Sequence, residues 1–256
     1  MRACRCAFAT SRPKGLFGDF VDTQTRHALK QDKFVTATTS GLDWIGENRT
    51  AVLRWSVAVV LVIGVAIAAI IVRQNRMSSA NQLLGQAMDI YQTPITQPGQ
   101  PAEPGQKTYA TAADRAKEAN PIFRQAADQY SWLVPGEMAR YFAGITDIDL
   151  GQQSTAESDL EKASHSHDSN LAALSKLALA NVYEQEGKSS QAVGLFQNLI
   201  QHPTTTVPKT EAQLDLAQLY ETTNPQEARR LYAQIKDQDK NGQAGQIATQ
   251  KLANLK

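Results

Sequence analysis

The hydrophobic pattern divides the chain in two at Val72. From Trp55 to Val72 there is no charged residue, and eleven of the eighteen positions are Val, Ile or Leu. An eighteen-residue helix is about 27 Å long, close to the ~30 Å hydrocarbon core of a bilayer. At roughly −0.3 to −0.6 kcal/mol each, the eleven aliphatic residues favour insertion by about 3–7 kcal/mol. Arg54 and Arg73 bracket the run and Trp55 stands at one edge, where snorkelling cations and an interfacial aromatic are expected. Ala66-Ile67-Ala68 has the small-x-small pattern of a cleavage site, but it lies inside the run and 54 residues precede the run. The expectation is an uncleaved transmembrane helix over 55–72.

Beyond Val72 the pattern becomes amphipathic with a helical period, and it repeats. Leu179, Ala180 and Tyr183 recur as Leu216, Ala217 and Tyr220; Ala192 and Phe196 recur as Ala228 and Tyr232. An earlier copy runs YFAGITDIDLGQQSTAESDLEKA, in which Ala143-Gly144 matches the Leu-Ala step and Ala156, Leu160 and Ala163 match Ala192, Phe196 and Leu199. Gly151-to-Gly187 and Ala192-to-Ala228 are both offsets of 36. Each copy reads as two helices joined by a tight turn. Small residues (Gly144, Ala180, Ala217 and Ala156, Ala192, Ala228) let the helices approach, and Tyr183, Phe196, Tyr220 and Tyr232 fill the gaps. Gly151 and Gly187 supply a left-handed helix end, and Pro203 stops a helix.

A degenerate copy precedes these. SSANQLLGQAMDIYQT supplies its first helix and TAADRAKEANPIFRQAADQYSW its second, with Pro121 predicting a kink or a late start. Between them the Pro/Gly/Gln-rich stretch 94–109 reads as an exposed flexible loop. The tail from Asn241 to Lys256 reads as a helix capping the last repeat.

These residues resemble the tetratricopeptide repeat, a 34-residue helix–turn–helix unit. The fold expected is therefore all-α: a tetratricopeptide-like solenoid over 73–256, preceded by a single transmembrane helix. The resemblance implies a concave face lined by the first helix of each repeat. Projected onto this chain, that face takes Met138, Tyr141, Ile145 and Ile148 from one copy. Leu174, Leu177, Asn181 and Glu184 come from the next, and Leu214, Gln218 and Glu221 from the third. Some members grip a peptide's C-terminal carboxylate with Lys, Arg and Asn; only Asn181 matches that pattern. An apolar groove suits an extended or helical apolar segment instead.

Charge adds direction. Residues 1–54 carry nine Lys/Arg against five Asp/Glu, and residues 73–256 carry 17 against 20. Neither part has the concentrated basic surface of a nucleic-acid binder. The immediate flanks of the run tie, with Arg49 and Arg54 before and Arg73 and Arg76 after. Farther out, Arg26, Lys30 and Lys33 precede it, and no basic residue follows until Lys107. The positive-inside bias places the N-terminus in the cytoplasm and the C-terminal domain outside, in the periplasm of a Gram-negative bacterium. In residues 1–54, His27–Val35 can form a short helix, and Leu42, Trp44 and Ile45 are apolar. The segment reads as an interfacial helix or as a mostly disordered tail. Asn48-Arg49-Thr50 fits a glycosylation sequon, but a cytoplasmic position leaves it no role.

The chain advertises little chemistry. Its two cysteines, Cys4 and Cys6, read as thiols in an unstructured start, so no disulfide staples the C-terminal domain. It has no Gly-rich phosphate loop, H-E-x-x-H or G-x-S-x-G motif. His165, His167 and Asp168 read as a solvated loop between repeats, and Glu157, Asp159 and Glu161 as an exposed helix face. No enzyme, cofactor or metal site is expected.

A short N-terminal segment, one span and a tetratricopeptide domain together resemble the ancillary subunit of the bacterial Sec translocon. FVTATTSGLDWIGENRTAVLRW is similar to that family's lead-in to its span. The resemblance implies an inner-membrane anchor and periplasmic repeats. It also implies three kinds of protein partner: translocon subunits, a periplasmic chaperone or isomerase, and emerging secreted chains. The alternative is a scaffold for another envelope complex, in cell-wall synthesis, division or outer-membrane assembly.

Overall fold

The structure is a computed structural model and describes residues 49–96 and 107–255. The N-terminal features (Cys4, Cys6, the helix expected at His27–Val35, Leu42, Trp44, Ile45) and most of the Pro-rich insert lie outside the described residues. So does Asn48 of the sequon. Among the described residues the architecture is all-helical, with nine helices and an isolated β-bridge between Ile95 and Tyr109.

In chain order the helices are α1 (Arg49–Tyr91), α2 (Ala112–Gln129), α3 (Val134–Asp149), α4 (Gln153–Ala163) and α5 (Ser169–Gln185). They continue with α6 (Ser189–Gln201), α7 (Lys209–Thr223), α8 (Pro225–Gln238) and α9 (Gln243–Asn254). The chain divides into two units, Met1–Ala69 and Ile70–Lys256.

The first unit contributes Arg49–Ala69 to α1. This helix is long and apolar enough to cross a membrane. Its aliphatic side chains are largely exposed, Val60, Val62 and Val65 by 66%, 69% and 70%. The helix does not stop where the apolar run does. A break was expected between Val72 and a new helix at Ser78, yet α1 continues through Arg73–Met77 for 43 residues in all. The reason is local: four of the five residues are Arg, Gln or Met, which are good helix formers, only Asn75 is weaker, and no Gly or Pro interrupts them. A change of polarity is not a helix stop.

In the second unit, the end of α1 packs with α2 and α3. Ala87, Ala119, Phe123, Ala126, Ala127, Ala139 and Ala143 form one buried cluster. Tyr91, Phe123 and Phe142 close it, with the two phenylalanine rings stacked 5.4 Å apart. Ala80 packs with Tyr130 and Leu133 in a smaller cluster, so α2 runs antiparallel to α1. Thr111 caps α2, its Oγ1 accepting from the Asp114 N–H at 3.0 Å. Pro121 neither delays nor divides α2, which runs from Ala112 to Gln129. Buried Ala119 and Phe123 on either side hold the helix across the one hydrogen bond proline cannot make.

From α2 onward each helix packs on the next, and α3 also meets α5, and α7 meets α9. The expected pairs are present as α3–α4, α5–α6 and α7–α8, and the expected terminal helix as α9. Gly151 and Gly187 end α3 and α5 with φ of 72° and 74°. In both turns the following N–H reaches back to the same carbonyl position: Gln152 to Asp147, and Lys188 to Tyr183, each at 2.8 Å. The third turn is shorter. There Asn224 caps α8 by accepting from the Glu227 N–H, and Pro225 takes the first helical position.

The small residues do what their spacing predicts. Ala156, Ala180, Ala192, Ala217 and Ala228 are fully buried. A Cβ on Gly144 would lie 2.7 Å from Leu160 Cγ, so only glycine lets α4 come this close to α3. Phe196 and Tyr232 fill the main core with Leu160, Leu179, Val182, Leu199, Leu219 and Ile235.

Candidate functional site

The face expected to bind a partner is built from α3, α5 and α7. Tyr141, Ile145, Ile148, Leu174, Leu177 and Leu214 are half-buried and pack on the main core. Met138, Asn181 and Gln218 are exposed. The six larger apolar residues therefore spend part of their surface holding helices together and offer only the remainder outward. Since α3 packs on α5, the first two groups share one surface. The residues from α7 reach the same core cluster through Leu214.

This face is also acidic beyond the expected Glu184 and Glu221. Asp215 is half-buried on α7, one turn after Glu211. Burial, then the charges of Glu211 and Glu184, push its carboxyl up to about 6. The signal was available in the sequence, because 211 and 215 are one helical turn apart and share a face. Asp215 thus binds its proton more tightly folded than unfolded. Stability from this group rises as pH falls from about 6 toward the ordinary carboxylate value, and is lost above that window. Asp215→Asn should accordingly stabilise the chain at neutral pH by about 1–2 kcal/mol, after allowance for solvent screening. Urea unfolding at pH 7.5 and at pH 4 checks this, since the gain should vanish in acid.

Asp159 corrects the expectation of an exposed acidic helix face. Its side chain is 6% exposed and that of Asp147 is wholly buried. The Arg124 guanidinium pairs with Asp147 and, at 3.0 Å, with Asp159. Arg140 reaches Asp159 at 3.3 Å, the Ala127 carbonyl at 3.0 Å and Asp128 at 3.2 Å. Asn120 donates to the Ala143 carbonyl, Thr146 Oγ1 and Asp147 Oδ1, and its own Oδ1 accepts from Arg124 Nε at 3.0 Å. Burial raises the Asp147 carboxyl above its ordinary value even though Arg124 and Asn120 favour its charge. The network ties α2, α3 and α4 together with its polar groups turned on one another, an arrangement of structural rather than chemical use. Glu157 is likewise held, by Lys188 at 2.6 Å.

His165 and His167 lie in the α4–α5 loop. His165 Nδ1 contacts the Glu161 carbonyl at 2.9 Å, and His167 is 99% exposed beside Glu137. Among the described residues no three His, Cys, Asp or Glu are grouped to hold a metal ion. A polar cleft of about 360 Å³ opens between α5 and α6, lined by Ser169, Lys176, Asn198, His202 and Thr204. Its lysine is engaged, Lys176 Nζ donating to Asn198 Oδ1 at 2.9 Å.

Compared with protein-family models, curated proteins and solved structures, the chain matches none.

Proposed function

We propose that this protein is a membrane-tethered protein-binding module, and specifically an ancillary subunit of the Sec translocon type. In this reading α1 anchors the chain in a bacterial inner membrane. The N-terminus is cytoplasmic, and the tetratricopeptide-like helix pairs stand in the periplasm. The observation that carries the tether is the apolar half of α1, whose aliphatic side chains have no covering protein among the described residues. Two further features support the binding role. The glycine-ended turns recur with the same hydrogen bond, and α3, α5 and α7 keep part of an apolar face open. Glu184, Glu211 and Asp215 favour a partner segment that carries basic as well as apolar residues.

The exposed members of the face are the positions to probe. A photo-crosslinking residue at Met138 or Asn181, in cells secreting envelope proteins, should trap translocon subunits, a periplasmic chaperone or emerging chains. Capture of a different envelope assembly instead would favour the scaffold reading, and capture of neither would sink the binding role of this face.

A further inference from the structure

We propose that the cleft between α5 and α6 is a binding site for a small organic acid, whose carboxylate is the counter-charge of Lys176. The cleft has a volume of about 360 Å³, near the lower end of the roughly 300–1,000 Å³ usual for small-molecule pockets. Buried Ala173 and Leu199 give it an apolar wall. Its polar lining is Ser169, Lys176, Asn198, His202 and Thr204, and none of its lining residues is acidic. The cleft lies on the side of α5 that meets α6, whereas Leu174, Leu177 and Asn181 belong to the candidate partner face. The inference therefore stands apart from the binding role proposed for that face.

Among the described residues three lysines are half-buried: Lys176, Lys188 and Lys251. Lys188 meets Glu157 and Glu186 at 2.6 and 2.8 Å, and Lys251 meets Glu221 at 3.0 Å. Lys176 meets only the neutral amide oxygen of Asn198, at 2.9 Å. A half-buried ammonium loses hydration that one amide oxygen replaces only in part. Of its three donors, Asn198 takes one. The same bond turns the amide nitrogen of Asn198 away from Lys176 and leaves it to donate elsewhere. The Ser169 hydroxyl and the His202 ring add further donors to the lining. Its acceptors are already in use. Asn198 Oδ1 accepts from Lys176, and Thr204 Oγ1 accepts from the Val207 N–H at 3.1 Å. Asp168, next to Ser169, is turned to the N–H groups of Asn170 and Leu171. What is left over is a set of donors around one cation, the complement of a carboxylate. The one lysine balances the single charge of a carboxylate better than the near-double charge of a phosphate monoester.

The test uses the full chain in mild non-ionic detergent and ligand-observed NMR titrations at fixed ionic strength. The probes are butyrate, its neutral amide butyramide, inorganic phosphate and N-acetylglutamate amide. Butyrate should bind saturably and butyramide should not, a comparison that needs no variant. Lys176→Gln should weaken butyrate by about ten-fold or more, the loss of one charge-assisted hydrogen bond. Lys176→Arg, which keeps the charge, should retain most of the binding. Circular dichroism verifies that both variants keep their helix content. Butyrate binding that Lys176→Gln leaves unchanged, or no saturable binding of any probe, would overturn the site. Equal binding of butyramide would overturn the need for charge, and tighter binding of phosphate would overturn the carboxylate. Tighter binding of N-acetylglutamate amide than of butyrate would overturn the free acid in favour of an acidic side chain from a protein.

Discussion

Arg124→Met should destabilise the helical domain by about 3–5 kcal/mol, the usual result of removing one partner from a buried ion pair. The methionine replaces the stem but not the charge, and two carboxylates remain. Asp147 would keep only Asn120, and Asp159 only Arg140 and a distant Lys162. The Asp147 carboxyl already lies above its ordinary value because of burial, with Arg124 acting to lower it. Without Arg124 it must rise further. The folded variant then binds more protons than the unfolded one, so its stability increases as pH falls. Chemical denaturation in mild detergent should show a large loss at pH 7.5 that shrinks toward pH 5. A loss independent of pH would mean that the arginine acts through packing alone. The double variant Arg124→Met with Asp147→Asn should recover part of the deficit, because it removes one stranded charge.

Gly136→Ala should cost about 3 kcal/mol, the upper part of the range for overpacking. A Cβ there would lie 2.0 Å from the Tyr130 carbonyl oxygen and 2.4 Å from its carbon. Both are backbone atoms and cannot rotate aside. The turn would have to open, and Tyr130 and Leu133 would lose their seat against Ala80. Gly85→Ala makes the comparison, since nothing lies within 4 Å of its Cβ position in α1. There the change should stabilise by roughly 0.5–1 kcal/mol through helix propensity. Thermal unfolding of the pair by circular dichroism should move the melting temperature in opposite directions.

The helix pairs were legible because spacing alone encodes them. A helical period with Ala or Gly at each close approach and Gly at each left-handed turn leaves few other folds. Asp159 was not legible. It lies in a short helix between Glu157 and Glu161, and that local pattern is the pattern of a solvated face. Its chief partner Arg124 lies 35 residues earlier, on a different helix, and no local rule pairs them. The continuity of α1 was missed for a related reason. The switch from apolar to polar at Arg73 marks a change of surroundings, whereas a helix ends only where the backbone is given another partner. The candidate face was half legible. Periodicity identified which residues of α3, α5 and α7 share a side, but not how much of each side chain the neighbouring helix covers. The spacing of Glu211 and Asp215 puts both on one side of α7, but the burial that raises the Asp215 carboxyl comes from packing that spacing does not encode.

The packing of each helix mainly on its chain neighbours has a consequence for how the domain is made. Most contacts close short loops, so little chain entropy must be lost before each new contact forms. A chain of low contact order folds quickly and can do so from either end. Helices from α2 onward can thus assemble in the order in which they emerge, each finding its surface already in place. The Arg124 network is the exception, since it needs α2, α3 and α4 together.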